Sequence, residues 1–340
     1  MNILIVKSSS LGDILQTFPV VTFLKKRFPH ARIDWVVEKP YEELLTAHPD
    51  VYEVFPVVFR KWRKNIFKYR KEMRCAIQKV REKKYDLLFD LQGNIKSALV
   101  TKCARSKEKI GTTFSAAPEW PNALVLNRRY GVNPKEPISF QYLSLVQSHF
   151  GVKPHPVMAS PLLQISGEEK DWIESQLVKG TSYMVCPGSN WENKKLFLPT
   201  WIELLKEVQK RKNPHFYFVW GSLREKEEAL ALHTQFPKNS TLLPQMSLPL
   251  WQRFMARMDG IFTVDSSALH LAATTPVPTY SFFGPSNASV YKPPFSHHHA
   301  FQGTCPYGQT FLKRCPVLRT CKTGACLKEP LPSEFMKVFI

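Results

Sequence analysis

NILIVKSSSLGDIL, residues 2–15, decides the fold. Its apolar run, Ile3 to Val6, does not alternate with polar residues, so the strand it forms needs cover on both faces. The small residues Ser8 to Ser10 and Gly12 then form a tight turn, and Asp13 opens an amphipathic stretch reaching Phe28, in which Pro19 kinks the helix. A buried strand running through a small-residue turn into a helix is the opening unit of a doubly wound parallel sheet. The same rhythm continues with IDWVVE (33–38), a short helix from Tyr41 to Ala47, and a strand from Val54 to Val58. A basic stretch from Lys64 to Lys84 has helical spacing; the buried strand YDLLFDL (85–91) and a helix after Gly93 follow.

The second half repeats it. YMVCPG (183–188), FYFVWG (216–221), TLLP (241–244), IFTVD (261–265) and TYSFFG (279–284) read as strands. Helices start near Thr200, Leu223, Leu248 and Ser266. Between the halves, Ala117 to Pro161 carries seven prolines and breaks the rhythm. The expected architecture is α/β: two Rossmann-like, doubly wound domains facing across a cleft. Residues 1–160 form the first, 161–304 the second, and 305–340 an irregular cysteine-rich segment.

A chain of 340 residues with 44% hydrophobic and 22% charged residues suits two globular cores. No apolar run reaches the eighteen residues a membrane span needs, and MNILIVK lacks the parts of a signal peptide. A cytoplasmic protein with reduced cysteines is expected. The net charge of +19 calls for an anionic partner: nucleic acid, a membrane face or a phosphorylated substrate. Arg60 to Lys84 concentrates it, with twelve Lys or Arg against Glu72 and Glu82. An ordinary solvated face would mix signs. Trp62, Phe67 and Tyr69 suit either base stacking or a membrane interface. Two nucleotide-type domains favour the membrane and a phosphorylated substrate over nucleic acid.

Several strand-ending turns carry chemistry. Asp13 is either a helix cap or a general base facing the cleft. PGSNWENKK (187–195) offers Lys194 and Lys195, solvated cations or partners for a departing diphosphate. VDSSALH (264–270) opens a helix, so it is an ordinary cap or an anion site at Ser266 to Ala268. Glu225 is a solvated helix-start acid or an acceptor for ribose hydroxyls. FGPS (283–286) is another phosphate-compatible turn.

Together, and in this order, these stretches resemble the ADP-heptose:lipopolysaccharide heptosyltransferases, glycosyltransferase family 9, with a GT-B fold. KSSSLGDILQT (7–17), FRKWRK (59–64), DLQGNIKSA (90–98), LPQMSL (243–248) and VDSSALHLAA (264–273) are similar to the heptosyltransferase I branch. That branch adds heptose to Kdo-lipid A. The resemblance implies Asp13 as catalytic base and Lys194 as the diphosphate cation. It implies Lys195, Glu225, Met246, Asp265, Ser266, Ser267, Ala268 and His270 at the donor. Ser9, Ser10, Gly12, Arg60, Lys61 and Lys64 fall on the acceptor side. ADP-heptose is the implied donor, in an inverting reaction needing no metal cofactor. The implied enzyme is a monomer on the cytoplasmic face of the inner membrane, binding no nucleic acid.

Two departures bear on specificity: Ser267 replaces the family's usual Gly, and EPISFQY (136–142) stands where the family often has H-A-x-x-R. A family-9 transferase of another acceptor or nucleotide sugar is the neighbouring reading. A basic nucleic-acid-binding protein is the reading from another class. Cys305, Cys315, Cys321 and Cys326 lack the paired spacing of common zinc sites, so reduced thiols, a structural zinc and a disulfide stay open, with His297 to His299 nearby.

Overall fold

A computed structural model describes residues 1–339. It divides into two compact units, one ending at Gln164 and one beginning at Ile165. The first holds β1 (Asn2–Val6), β2 (Arg32–Glu38), β3 (Glu53–Val57), β4 (Lys84–Asp90), β5 (Arg105–Thr112) and β6 (Arg128–Tyr130), in the order β3-β2-β1-β4-β5-β6. The second holds β7 (Ser182–Cys186), β8 (His215–Phe218), β9 (Ser240–Leu242), β10 (Gly260–Val264), β11 (Thr279–Phe283) and β12 (His298–Gln302), in the order β12-β11-β10-β7-β8-β9. Every pairing is parallel. Counted from its own first strand, each sheet runs 3-2-1-4-5-6, the doubly wound order. Its topological switch point lies between β1 and β4 in one sheet, and between β7 and β10 in the other. Ligands of such sheets bind beyond the strands' carboxyl ends at that point.

The cores explain the strand sequences. Leu4, Val6, Val36 and Leu88 pack with Phe55, Val80 and Val100 in the first unit. Every residue of β7 and β10 is buried. Their aromatic neighbours Phe216, Phe218, Phe262 and Phe282 pack around Trp201.

Several elements differ from the sequence-based expectation. The stretch from Asp13 to Phe28 is two helices, Leu11–Leu15 and Phe18–Arg27, with Pro19 in the second's first turn, where its missing N–H is harmless. The basic stretch is likewise two helices, Phe59–Lys64 and Ile66–Glu82, and Asn65 caps the second by accepting from the Lys68 N–H at 2.9 Å. The proline-rich passage contains a regular helix, Ile138–His149, entered through Pro137. β5 and β6 went unseen because RSKEKIGT and RRY carry no apolar run; β6 is the edge strand and β5, next to it, is ladder-paired on both sides. The histidine run is partly a strand: His298 opens β12 and its imidazole bonds the Thr279 hydroxyl at 3.0 Å, and among the described residues it joins no group that could hold a metal. The segment after Gly303 is not irregular throughout. Phe335 and Phe339 return to the second core, Phe335 against Phe282 and Phe339 against Phe262 and Tyr183.

Candidate active site

At the first switch point, the turn after β1 meets the turn after β4. The Gln92 side-chain oxygen accepts from the N–H groups of Ser8 and Ser9, both at 3.0 Å. Asp90, buried at the end of β4, shapes that second turn. One of its oxygens accepts from the Gln92 and Gly93 N–H groups, the other from Thr101 and Asn122 side chains. Gly93 holds φ +70°, and an added Cβ would meet Pro118 at 2.7 Å, so the turn requires glycine. Over this platform stands Asp13, half-buried. Its Oδ2 accepts from the Ser10 N–H at 3.0 Å and the Ser10 hydroxyl at 2.6 Å, which makes it part of a capping box. Its Oδ1 accepts from the Tyr142 hydroxyl at 3.3 Å. Asp13 therefore caps its helix and at the same time presents a carboxylate at the switch point. Lys7 is buried beneath, donating to the Leu91 carbonyl and to Tyr142. Burial pulls its ammonium below the usual lysine range, against the opposing pull of Asp13 and Asp90.

At the second switch point, Lys194 follows β7 and Asp265 follows β10. The two form a buried ion pair, and the Ser286 hydroxyl also donates to Asp265. Burial alone would raise the Asp265 carboxyl; Lys194, His270 and Ser286 outweigh it and hold the group below its ordinary range. Lys195 is buried too, but bonds Glu228 at 2.7 Å and Glu192 at 2.9 Å. Two adjacent lysines therefore have different partners, and only Lys194 faces the anion-opening turn. Ser266 caps the short helix Ser267–Ala272 through the Ala268 N–H at 3.3 Å, and His270 is buried on its inner side. Glu225 Oε2 accepts from the Gly221 and Ser222 N–H groups, while its carboxyl group packs against Gly188, where an added Cβ would stand 2.5 Å away. Met246 is half-buried just before the helix Leu248–Met255.

Residues 73–318 match glycosyltransferase family 9 (heptosyltransferase). The chain is 32% identical over 296 residues to lipopolysaccharide heptosyltransferase 1 of Pseudomonas aeruginosa, covering 84% of this chain and 79% of that relative. The chain belongs to glycosyltransferase family 9. Among solved structures, the Escherichia coli heptosyltransferase WaaC with ADP-2-deoxy-2-fluoro heptose superposes with a TM-score of 0.75 at 26% identity, covering 89% of this chain and 94% of that one. The Escherichia coli ADP-heptose lps heptosyltransferase II gives a TM-score of 0.71 at 22% identity, with both chains fully covered, and shares the fold. The fold is GT-B, and the chain is a family-9 heptosyltransferase, as its motifs imply.

Residues of this family-9 enzyme that sequence reasoning did not single out also stand at the two switch points. Tyr142 lies in EPISFQY, the segment marked only for what it lacks, and Lys7 directly precedes the quoted serines. Ser286 was marked only as part of a turn.

The basic helices need one correction. Trp62 is no interfacial aromatic: it is 3% exposed, packs edge-on to Phe59 in the core and donates to Glu72 at 3.3 Å. Lys61 pairs with the same Glu72 at 2.9 Å and lies over the Tyr69 ring. Phe67, 83% exposed, is the most exposed of the three aromatics, with Tyr69 half-buried. Arg60 sits at the carboxyl edge of the first sheet, its backbone N–H bonded to Glu38, whose own N–H donates to the Ser8 carbonyl at 3.0 Å. This places Arg60 beside the Asp13 turn, with Lys64 exposed one turn further on. Among the described residues no helix is long and apolar enough to cross a membrane.

The four late cysteines are free thiols around one cavity of about 110 Å³ that Asn193 also lines. Among the described residues no three His, Cys, Asp or Glu side chains form a group that could hold a metal ion. Burial raises the Cys326 thiol to about 11, aided by the other three. What the segment does is brace the loop that carries Lys194. The Asn193 amide donates to the carbonyls of Leu318 at 2.6 Å and Cys321 at 2.9 Å, next to Lys194. Ser286 pairs with Arg314, and the Cys315 N–H bonds Pro285.

Proposed function

We propose that this chain transfers heptose from ADP-heptose to the Kdo region of Kdo-lipid A, with inversion at the anomeric carbon. The observation carrying this reading is that both switch points hold reactive groups in complementary roles: a carboxylate at one, a buried ammonium beside a helix start at the other. In this reaction the acceptor hydroxyl oxygen bonds the anomeric carbon, the bond from that carbon to the diphosphate breaks, and ADP leaves. The hydroxyl proton goes to Asp13, because an unassisted sugar alcohol is a weak nucleophile at neutral pH; such help is worth about 10²–10⁴-fold. Lys194, oriented by Asp265, and the start of the helix at Ser266 to Ala268 offset the charge growing on the leaving diphosphate. Lys195, Glu225, Met246 and His270 complete the donor side, and Ser267 supplies a backbone N–H where the family's glycine would. The solved WaaC complex with a fluorinated ADP-heptose supports the donor.

Ser9, Ser10, Gly12, Arg60, Lys61 and Lys64 form the acceptor side. The acceptor is anionic, and Arg60 lies beside the Asp13 turn while the exposed basic face of Ile66–Glu82 continues outward from it. That face, with Phe67, seats the enzyme on an anionic inner-leaflet surface from the cytoplasmic side. The enzyme works as a monomer without a metal cofactor and binds no nucleic acid.

ADP release by the purified chain from ADP-heptose and Kdo2-lipid A tests the reading. Release should depend on both substrates, and Asp13→Ala should abolish it while leaving ADP binding intact. Near-normal turnover by Asp13→Ala would remove its role as base; ADP release only with a heptosylated acceptor would move the chain to a later core step.

A further inference from the structure

The two oxygens of Asp13 have different surroundings. Oδ2 is held within its own helix turn by Ser10. Oδ1 is met from another element altogether, by the hydroxyl of Tyr142 on the helix Ile138–His149, at 3.3 Å. That hydroxyl accepts from the Lys7 ammonium at 2.8 Å, and the same ammonium donates to the Leu91 carbonyl at 3.0 Å and lies 4.4 Å from the Tyr142 ring centre. A lysine this deeply buried is rare unless paired, and an apolar side chain would fill the same space at lower desolvation cost. Here its ammonium reaches from the end of β1 to a tyrosine on a different helix, and both converge on one carboxylate.

We infer that Lys7 and Tyr142 are positioning residues for Asp13. Lys7 fixes and polarises the Tyr142 hydroxyl, and that hydroxyl fixes Oδ1 and favours the ionised form of the carboxylate. Asp13 thus meets the acceptor charged and in one orientation, and proton transfer needs both. Tyr142 acts on Asp13 by a hydrogen bond and Lys7 by its charge, and Asp90 acts in turn on Lys7. No proton passes to Tyr142 or Lys7 in this scheme. The inference rests on the reading of Asp13 as the base.

The test follows ADP release from ADP-heptose and Kdo2-lipid A across about pH 5–9 for wild type, Tyr142→Phe, Lys7→Met and Asp13→Asn. Tyr142→Phe keeps the ring and removes one hydrogen bond to the carboxylate. Its kcat should fall about tenfold with KM for ADP-heptose unchanged, and the acidic limb of kcat/KM should move up by roughly half to one pH unit. Lys7→Met should move the limb in the same direction; should it fail to fold, Tyr142→Phe alone decides. A fall in kcat with an unmoved limb assigns Tyr142 to structure only and overturns the inference, as does wild-type behaviour. Asp13→Asn separates the two readings. If it collapses while Tyr142→Phe is normal, only the positioning role is lost; if it stays active, the base itself was misassigned.

Discussion

The Lys194 ammonium and the Asp265 carboxylate face each other across neighbouring strands, both almost wholly buried, and Ser286 donates to the same oxygen of Asp265. A buried pair of this kind contributes little relative to a well-packed apolar pair, yet breaking it leaves an uncompensated charge. Its presence at a switch point is therefore better explained by ligand chemistry than by stability.

Asp265→Ala should destabilise the protein by about 3–5 kcal/mol, because Lys194 stays buried without its carboxylate. Calorimetry should show the melting temperature lower by on the order of 10 °C. The Asp265 carboxyl is depressed in the folded state, so its contribution is complete above the unfolded value near pH 4 and is lost as pH falls through the folded one. The gap between wild type and variant should thus be full at pH 7 and shrink below about pH 4. A gap independent of pH would contradict the pairing. The double variant Lys194→Met, Asp265→Leu should recover most of the stability but not the ADP affinity.

Asn193→Ala removes the two bonds that tie the Lys194 loop to the cysteine-rich segment. Calorimetric titration should find ADP bound several-fold more weakly, with about 1–3 kcal/mol of stability lost. Unchanged ADP affinity would mean that this brace does not hold the donor loop.

Gly303→Ala should disrupt the same segment from the other side. An added Cβ would stand 1.6 Å from the Cys326 carbonyl oxygen, a backbone atom that no rotamer change can move. Faster thiol labelling of Cys315 and Cys326, both buried in the wild type, reads the displacement. Wild-type labelling rates would show that the backbone there yields without undocking.

On the basic helices, two aromatics should behave oppositely. Trp62→Ala should cost about 3–5 kcal/mol, as for a buried tryptophan. Phe67→Ser should leave stability within about 0.5 kcal/mol and yet weaken co-sedimentation with anionic vesicles. If Phe67→Ser sediments like wild type, or if nucleic acid shifts the protein at matched salt, the membrane reading of this face is wrong.

Strands buried on both faces were legible because burial forces a continuous apolar run, as in β1, β7 and β10. The strand RSKEKIGT was not, since an edge-proximal strand is held by backbone bonds and its side chains are free to be charged. The strand-ending turns were legible for a related reason: KSSSLGD and VDSS each compress a strand end, a turn and a helix start into consecutive residues, and WENKK follows β7 within a few residues. Trp62 was misplaced because one turn of helix buries one of its residues and exposes its neighbours, which composition does not resolve.

The order of residues along the chain was enough to determine two doubly wound α/β units and the acids and lysines in the turns after their strands, because strand and helix periods are local properties. Only the tertiary structure decided that Lys194 rather than Lys195 meets Asp265, that Lys7 meets Tyr142 and Tyr142 meets Asp13, and that the cysteine-rich segment braces the Lys194 loop. Those contacts join residues far apart in the chain, and which atoms meet is set by packing between elements, a quantity no local pattern contains.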